Sequence, residues 1–249
     1  MSYKTTIEWT DSTWNPIIGC SKVSPGCLNC YAEAITRRFA GVKGHPFELG
    51  FQIQLRPEKL DEPAHWKKGR KIFTCSMSDL FHEQVPFDFI QQVFLVMSTV
   101  SRHTFQVLTK RAERLSELSP SLKWTPNIWI GVSVESEAQI NRIQWLQSIP
   151  AAVRFISFEP LLGPIPGLDL DGIDWVIVGG ESGARARKME TKWAVGIRDQ
   201  SIAYHIPFFF KQHGGRRGKM GGEAAVLEGT VWHEFPQPQM DRLTNLSQL

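Results

Sequence analysis

Short apolar segments rich in β-branched and aromatic residues recur along the chain, and each has the length of one strand. Most are apolar on both faces, which is typical of strands buried in a parallel sheet. They lie at residues 14–19, 71–77, 104–109, 127–134, 153–158, 174–180 and 206–211. The pattern therefore predicts a sheet that is covered on both sides.

Segments with a helical spacing of apolar residues separate these strands. They lie at residues 31–40, 87–100, 110–118, 136–149 and 191–205. A strand followed by a helix, repeated about six times, predicts either a (β/α) barrel or an open doubly wound sheet.

The polar residues that end the predicted strands favour the barrel. Nearly every apolar run finishes in side chains able to bind a ligand, such as Asp79, Glu135, Glu159 and Glu181. In a barrel all the carboxyl ends converge on one mouth, whereas a doubly wound sheet brings fewer of them together at its switch point. We therefore predict an α/β fold, a partial (open) (β/α) barrel of about six strands.

The prediction assigns residues 1–234 to a single barrel-like domain. Within it, residues 41–70 form a long connection with several glycines and prolines, which predicts an insertion or lid. Residues 235–249 are polar and predict a C-terminal tail.

Composition places the chain among ordinary globular proteins. Of its 249 residues 42% are hydrophobic and 21% charged, and a net charge of +3 does not by itself require a nucleic-acid partner. The N-terminal MSYKTTIEWTDS lacks the apolar segment of a signal peptide, and no apolar run approaches the roughly 20 residues of a membrane span. These features predict a cytoplasmic protein without a membrane partner, whose clustered cysteines stay reduced.

Three of the four cysteines lie close together between the first predicted strand and the first helix, with the spacing Cys20-x6-Cys27-x2-Cys30. Thiolates are ligands of zinc and of iron–sulfur clusters. A structural zinc ion needs a fourth ligand. The residues able to supply one are His45, His65 and Cys75. A 4Fe–4S cluster held by three cysteines instead leaves one iron open to a small molecule, and the position at a barrel mouth favours that choice.

Motifs along the whole chain resemble a phage and bacterial family of three-cysteine-motif proteins of unknown function. They are WNPIIGCSKVSPGCLNCYAE, FTCSMSDLF, GVSVES, FEPLLGPI, VIVGGESG and FFFKQHGG. A three-cysteine loop after the first strand of a partial barrel is more distantly similar to that of radical S-adenosylmethionine (SAM) enzymes. The spacing of the first two cysteines is longer here than in the commonest radical SAM loop, and Asn29 stands where an aromatic residue is common.

The second resemblance implies an iron–sulfur enzyme. It implies that Cys20, Cys27 and Cys30 hold a 4Fe–4S cluster whose open iron binds SAM. Reductive cleavage of SAM would then yield a 5′-deoxyadenosyl radical that abstracts hydrogen from a substrate, with an electron donor as a partner. The resemblance also implies that the strand ends bind SAM. The residues at those ends are Ser76, Ser78, Asp79, Lys110, Ser133, Glu135, Glu159 and Glu181.

The chemistry of these residues is compatible with such roles and with others. Asp79 can accept a hydrogen bond from an ammonium group, Lys110 can meet a carboxylate or a phosphate, and Glu135 can accept from a ribose diol. The same residues can instead cap a turn or lie in the first turn of a helix.

Two short basic runs are able to hold the phosphates of a nucleic-acid substrate, although a solvated surface is the commoner interpretation of such runs. Their arginines are Arg185, Arg187, Arg216 and Arg217. A different class of function also stays open at this point. In that alternative, zinc or an inert cluster braces the loop of a phage-associated binding protein.

Overall fold

A seven-stranded parallel sheet forms the centre of the protein, in a computed structural model that describes residues 5–215 and 225–239. In chain order the strands are β1 (Ser12–Trp14), β2 (Ile17–Ile18), β3 (Gln54–Leu55), β4 (Lys71–Thr74), β5 (Thr104–Thr109), β6 (Ile128–Ser133), β7 (Val153–Phe158), β8 (Trp175–Gly179), β9 (Phe208–Gln212), β10 (Val226–Leu227) and β11 (Thr230–Val231). The α-helices are α1 (Tyr31–Arg37), α2 (Phe87–Thr99), α3 (Ala112–Leu118), α4 (Asn141–Gln147) and α5 (Thr191–Ala203).

The order of the main sheet is β1-β4-β5-β6-β7-β8-β9, and every neighbouring pair is parallel. Each strand lies beside the next one in sequence, without the reversal of order that defines a doubly wound sheet. Strands β1 and β9 form the two edges, so the sheet curls without closing. The predicted open barrel is confirmed, with seven strands in place of about six.

The first predicted strand is the main correction to the expected elements. The apolar run 14–19 is split, because β1 ends at Trp14 while β2 pairs antiparallel with β3. Pro16 lies at the break and has no backbone N–H to continue a ladder. The cysteine loop therefore follows β2, and β3 ties the 41–70 region to its entrance. Among the described helices, none is long and apolar enough to cross a membrane.

Side chains pack against both faces of the sheet, which explains why the strands are apolar throughout. Large aromatic residues pack together on one face. They include Trp9, Phe73, Trp129, Phe155, Trp175 and Phe209. Aliphatic and further aromatic residues of the strands, such as Phe105 and Phe208, pack with helices α2–α5 in a second, larger cluster.

Gly131 in β6 tests how tightly the aromatic cluster is packed. A Cβ atom at this position would lie 2.4 Å from the ring of Phe155, its register partner in β7. We expect Gly131→Ala to lower the free energy of unfolding by about 1–3 kcal/mol through overpacking. Urea denaturation measures the change.

Gly196→Ala is the matched control, because Gly196 lies in α5 and a Cβ atom added there would have no neighbouring atom within 4 Å. Alanine there should raise the free energy of unfolding by about 0.5–1 kcal/mol, since glycine is a poor helix former. Equal effects of the two substitutions would contradict tight packing at Gly131.

Candidate metal centre

The cysteine loop, residues 20–30, is fixed where it enters from β2. The N–H of Gly19 donates to the carbonyl of Met77 at 3.0 Å, and that of Cys20 donates to the carbonyl of Phe51 at 3.1 Å. Gly19 has φ +87°, and a Cβ there would lie 2.0 Å from the carbonyl oxygen of Gln52. Only glycine fits this close approach of two segments.

The three thiols are half-buried and none forms a disulfide. Cys27 lies in a 3₁₀ turn (Pro25–Cys27), and Cys30 directly precedes α1. The Sγ of Cys27 lies 3.8 Å from the Oγ of Ser24. Among the described residues, no three His, Cys, Asp or Glu side chains are gathered around one point as a single metal ion requires.

Cys20 lies beside a buried arginine. Nη1 of Arg111 donates to its Sγ at 3.6 Å. Burial and the Asp79 carboxylate raise the pKa of Cys20 to about 11, against the opposing effect of Arg111. Without a metal this thiol is therefore protonated at neutral pH, and binding of a metal at Cys20 must release a proton.

Asp79 holds this arginine and the backbone around it. Its Oδ1 accepts from the N–H of Phe81 at 3.0 Å and from the hydroxyl of Thr109 at 2.7 Å. Its Oδ2 accepts from the N–H of Lys110 at 3.0 Å and from Nη1 of Arg111 at 3.1 Å. Both oxygens are thus engaged by internal donors, and the carboxylate acts on the site through Arg111.

Ser76 and Ser78 lie next to the loop, after β4. The Ser76 hydroxyl is hydrogen bonded to the side chain of Asn15, and its carbonyl accepts from the hydroxyl of Tyr31 at 2.5 Å. The Ser78 hydroxyl is buried without a nitrogen or oxygen partner among the described residues and interacts with the Cys75 thiol. Ser78 also forms a parallel bridge with Gly19. This segment therefore supports the entrance of the loop.

Glu135, after β6, is fully buried beneath the loop. Its Oε1 accepts from the hydroxyl of Ser24 at 2.5 Å and lies 3.8 Å from Nζ of Lys110. Its Oε2 accepts from Nη1 of Arg142 at 2.8 Å. A Cβ at Gly26 would lie 2.3 Å from Cγ of Glu135, so the loop backbone packs directly on this side chain.

Ser133, at the end of β6, is buried, and its backbone carbonyl forms the hydrogen bond that connects it to the site. Its carbonyl accepts from Nη1 of Arg142 at 2.7 Å, the same nitrogen that binds Glu135. Arg142 lies in α4, and no feature of the sequence connects it with a glutamate seven positions earlier. Only the packing of α4 against β6 could reveal this partner.

Glu181, after β8, is paired with Arg187 and holds the second half of the loop. Its Oε2 accepts from Nδ2 of Asn29 at 2.9 Å and from the N–H of Arg187 at 2.8 Å, and its Oε1 accepts from the Arg187 guanidinium. Arg187 also donates to the carbonyl of Pro25 at 3.0 Å. Burial opposes the charge, but the donors of Arg187 and Asn29 outweigh it, and the pKa of Glu181 lies below its usual range.

Glu159, after β7, pairs with residues of β9, the strand on the far side of β8. Its Oε1 accepts from Nζ of Lys211 at 2.5 Å, and Nε2 of Gln212 lies 3.4 Å away. The two charged side chains are 21% and 17% exposed. This pair on β7 and β9 is therefore a polar group of the mouth that stays accessible.

The basic residues expected at the mouth differ in their availability. Arg187 is engaged with Glu181 and Pro25, so its guanidinium is not a free phosphate ligand. Arg185 is exposed, and its carbonyl accepts from Nδ2 of Asn29 at 2.9 Å. Arg216 and Arg217 lie outside the described residues.

A cavity of about 760 Å³ opens beside Cys20. Its lining comes from the loop, from the 41–70 region and from the turn after β4. The lining residues are Cys20, Ser21, Leu49, Phe51, Gln52, Ile53, His82, Glu83 and Gln84. His82 was not expected from the sequence; Nδ1 accepts from the N–H of Gln84, which leaves Nε2 to donate to the hydroxyl of Ser21 at 2.8 Å.

The fold and the loop together define a class of protein: an open parallel barrel whose carboxyl edge carries three free cysteines on one loop. Among solved structures, a double mutant of spore photoproduct lyase with bound AdoMet and dinucleoside spore photoproduct is similar to it. The TM-score is 0.51 at 10% identity, over 81% of this chain and 64% of that chain. The likeness shows a shared fold.

The chain belongs to the family of proteins of unknown function DUF5131, which matches residues 4–236. The resemblance to a family of unknown function, seen in the motifs, is thereby confirmed. No curated protein matches the chain.

The Glu181–Arg187 pair generates a prediction about acid stability. Because the pKa of Glu181 is lowered in the folded state, its contribution is present above about pH 4.3, the pKa of an unfolded glutamate, and is lost as the pH falls through the folded value. We expect Glu181→Gln to lower the free energy of unfolding by about 1–3 kcal/mol at pH 7. The difference from wild type should shrink below about pH 4 in urea denaturation across pH.

Glu190→Gln provides the control. Glu190 forms an exposed pair with Lys192 at 2.9 Å, and exposed pairs contribute little. This variant should match wild type at pH 7. If Glu181→Gln lowers the free energy of unfolding by the same amount at pH 3 and pH 7, the link between stability and the ionisation of Glu181 is contradicted.

Proposed function

We propose that this protein is an iron–sulfur enzyme of radical SAM type, with a 4Fe–4S cluster held by Cys20, Cys27 and Cys30. The observation that carries the proposal is the position of the loop. It lies on the carboxyl edge of an open parallel barrel and is held there by side chains from the ends of several strands. Active sites of barrel enzymes are built at this edge.

The donor set of the loop fits a cluster. All three donors are thiols, the ligands that iron–sulfur clusters take, and they sit on one short segment. A 4Fe–4S cluster held by three cysteines would need no further protein ligand. A structural zinc ion needs four ligands around one point, and the described residues offer no such group of even three. The arrangement therefore supports the cluster over the zinc alternative.

The shared fold supports SAM as the second cofactor, because the similar lyase structure holds AdoMet. When bound, cluster and SAM together supply a 5′-deoxyadenosyl radical, made by reductive cleavage of SAM, for abstraction of hydrogen from a substrate. The electron comes from a donor partner. The dinucleoside ligand of the lyase supports a nucleic-acid-related substrate class, which Arg185 at the mouth would contact.

The residues of the mouth take different parts in this proposal. Glu159 and Lys211 are accessible and would bind polar groups of SAM or of the substrate. Lys110 is half-buried and would meet a carboxylate. The segment Ser76–Ser78 would accept from the SAM ammonium. Asp79, Ser133, Glu135 and Glu181 would orient the loop and its neighbours, since their side chains or carbonyls are already engaged.

Anaerobic reconstitution with iron and sulfide tests the proposal. The wild-type protein should take up about four irons per chain and, with a reductant and SAM, release 5′-deoxyadenosine. Replacement of Cys20, Cys27 or Cys30 by alanine should abolish both results, because a thiolate ligand is lost. Iron analysis, EPR spectroscopy and chromatography of the nucleoside products are the measurements.

Cys75→Ala is the control, since Cys75 is buried beside the loop and is not assigned as a ligand. It should retain both the cluster and product formation. A loaded cluster that forms no 5′-deoxyadenosine would contradict the radical SAM type, and one tightly bound zinc per chain without iron uptake would favour the bracing alternative.

A further inference from the structure

We infer that Arg111 is a positioning residue that sets the reduction potential of the cluster through its hydrogen bond to Cys20. The inference rests on the cluster of the proposed function, and on no other part of that function. Cys20 is the one proposed ligand for which the described structure gives a cationic donor, Nη1 of Arg111, at 3.6 Å from Sγ.

The guanidinium of Arg111 is fixed in place from several sides. It is 6% exposed. Nη1 is shared between Cys20 and Asp79, and Nε donates to Oε1 of Glu83 at 2.9 Å. Nη2 donates to the carbonyl of Ser21 at 3.2 Å and to its hydroxyl at 3.0 Å. Every donor nitrogen therefore has a partner, and the contact with Sγ is not an incidental position of a mobile side chain.

The hydroxyl of Ser21 links this arginine to a second group. It accepts from Nη2 of Arg111 and, at 2.8 Å, from Nε2 of the buried His82. Burial and the adjacent Arg111 lower the pKa of His82, so the imidazole is neutral at pH 7. The charge next to Cys20 is therefore that of Arg111, with Asp79 and Glu83 as its counterions.

The positive charge of Arg111 determines the direction in which it shifts the reduction potential. Reduction adds an electron, and hydrogen bonds to the ligand sulfurs together with nearby positive charge favour the reduced cluster. A buried cation acts through a medium of low dielectric and is weakly screened by salt. Arg111 should therefore raise the reduction potential, and this makes the electron easier to accept from a donor.

Arg114, in helix α3 three residues after Arg111, offers a matched comparison. Its guanidinium donates to the backbone carbonyls of Phe81, His82 and Val85 and not to a thiol. A substitution there removes the same charge and disturbs the same turn after β4. It leaves the donor to Cys20 in place.

The experiment is an EPR-monitored redox titration of the reconstituted protein, with iron and sulfide content measured for each variant. Arg111→Gln should shift the one-electron equilibrium about tenfold toward the oxidised cluster. This corresponds to a midpoint reduction potential about 59 mV lower than that of the wild type. Arg111→Lys keeps the charge without the planar fork and should shift it less. Arg114→Gln removes an equal charge that contacts no thiol, so it should shift the midpoint less than Arg111→Gln.

A second variant keeps the test decisive if Arg111→Gln fails to fold or to load. Glu83 is 62% exposed, and Glu83→Gln retains an acceptor for Arg111 while removing one counterion. The midpoint of Glu83→Gln should move upward, opposite to that of Arg111→Gln. Glu113→Gln, an exposed change in α3, should not move the midpoint.

Each outcome separates the inference from the proposed function. A loaded cluster whose midpoint is the same in wild type, in Glu83→Gln and in every Arg111 variant that loads would overturn the inference alone. A loaded cluster with shifted midpoints that never cleaves SAM would overturn the proposed radical chemistry and leave the inference standing. A wild-type protein that takes up no cluster would overturn both.

Discussion

Buried charge at the carboxyl edge of the sheet is the constraint on which the rest of the site depends. Three carboxylates at this edge are 6%, 0% and 5% exposed. A carboxylate removed from water is costly unless it is paired and hydrogen bonded, and each of these is paired with an arginine. The pairs are Asp79–Arg111, Glu135–Arg142 and Glu181–Arg187. Because the two side chains of each pair hold one another in place, the donors and acceptors that the pair does not use itself point in fixed directions.

Those remaining positions bind the cysteine loop. The first pair reaches Cys20, the second reaches Ser24, and the third reaches Pro25 and Asn29. The loop is therefore attached at three places along its length, and Gly26 lets its backbone rest on a buried side chain. These contacts with the barrel position the loop that carries the thiols. Glu159, after β7, and Lys211, in β9, form a pair that is left for other contacts.

Much of this organisation was predictable from residue patterns. Strands apolar on both faces indicated a covered parallel sheet, and the bounds of β5 and β7 agree with their apolar runs. Polar residues after each run indicated a common edge. The split of the first run was not expected, although Pro16 was a signal for it, because a proline cannot donate to a ladder. The seven strands of the main sheet correspond to the seven apolar runs, although the first run overlaps the short β1 only at Trp14.

The sequence by itself determined the open barrel, the cysteine loop and the set of polar strand ends, since these depend on periodicity and local spacing. Only the tertiary structure decided what the polar residues do. Glu135 and Arg142, or Arg111 and Cys20, meet because separate strands and helices bring them within hydrogen-bonding distance. A pattern of residue types carries no information on which buried acid finds which base. That choice is made by packing, since a buried charge must be paired with whatever the fold brings beside it.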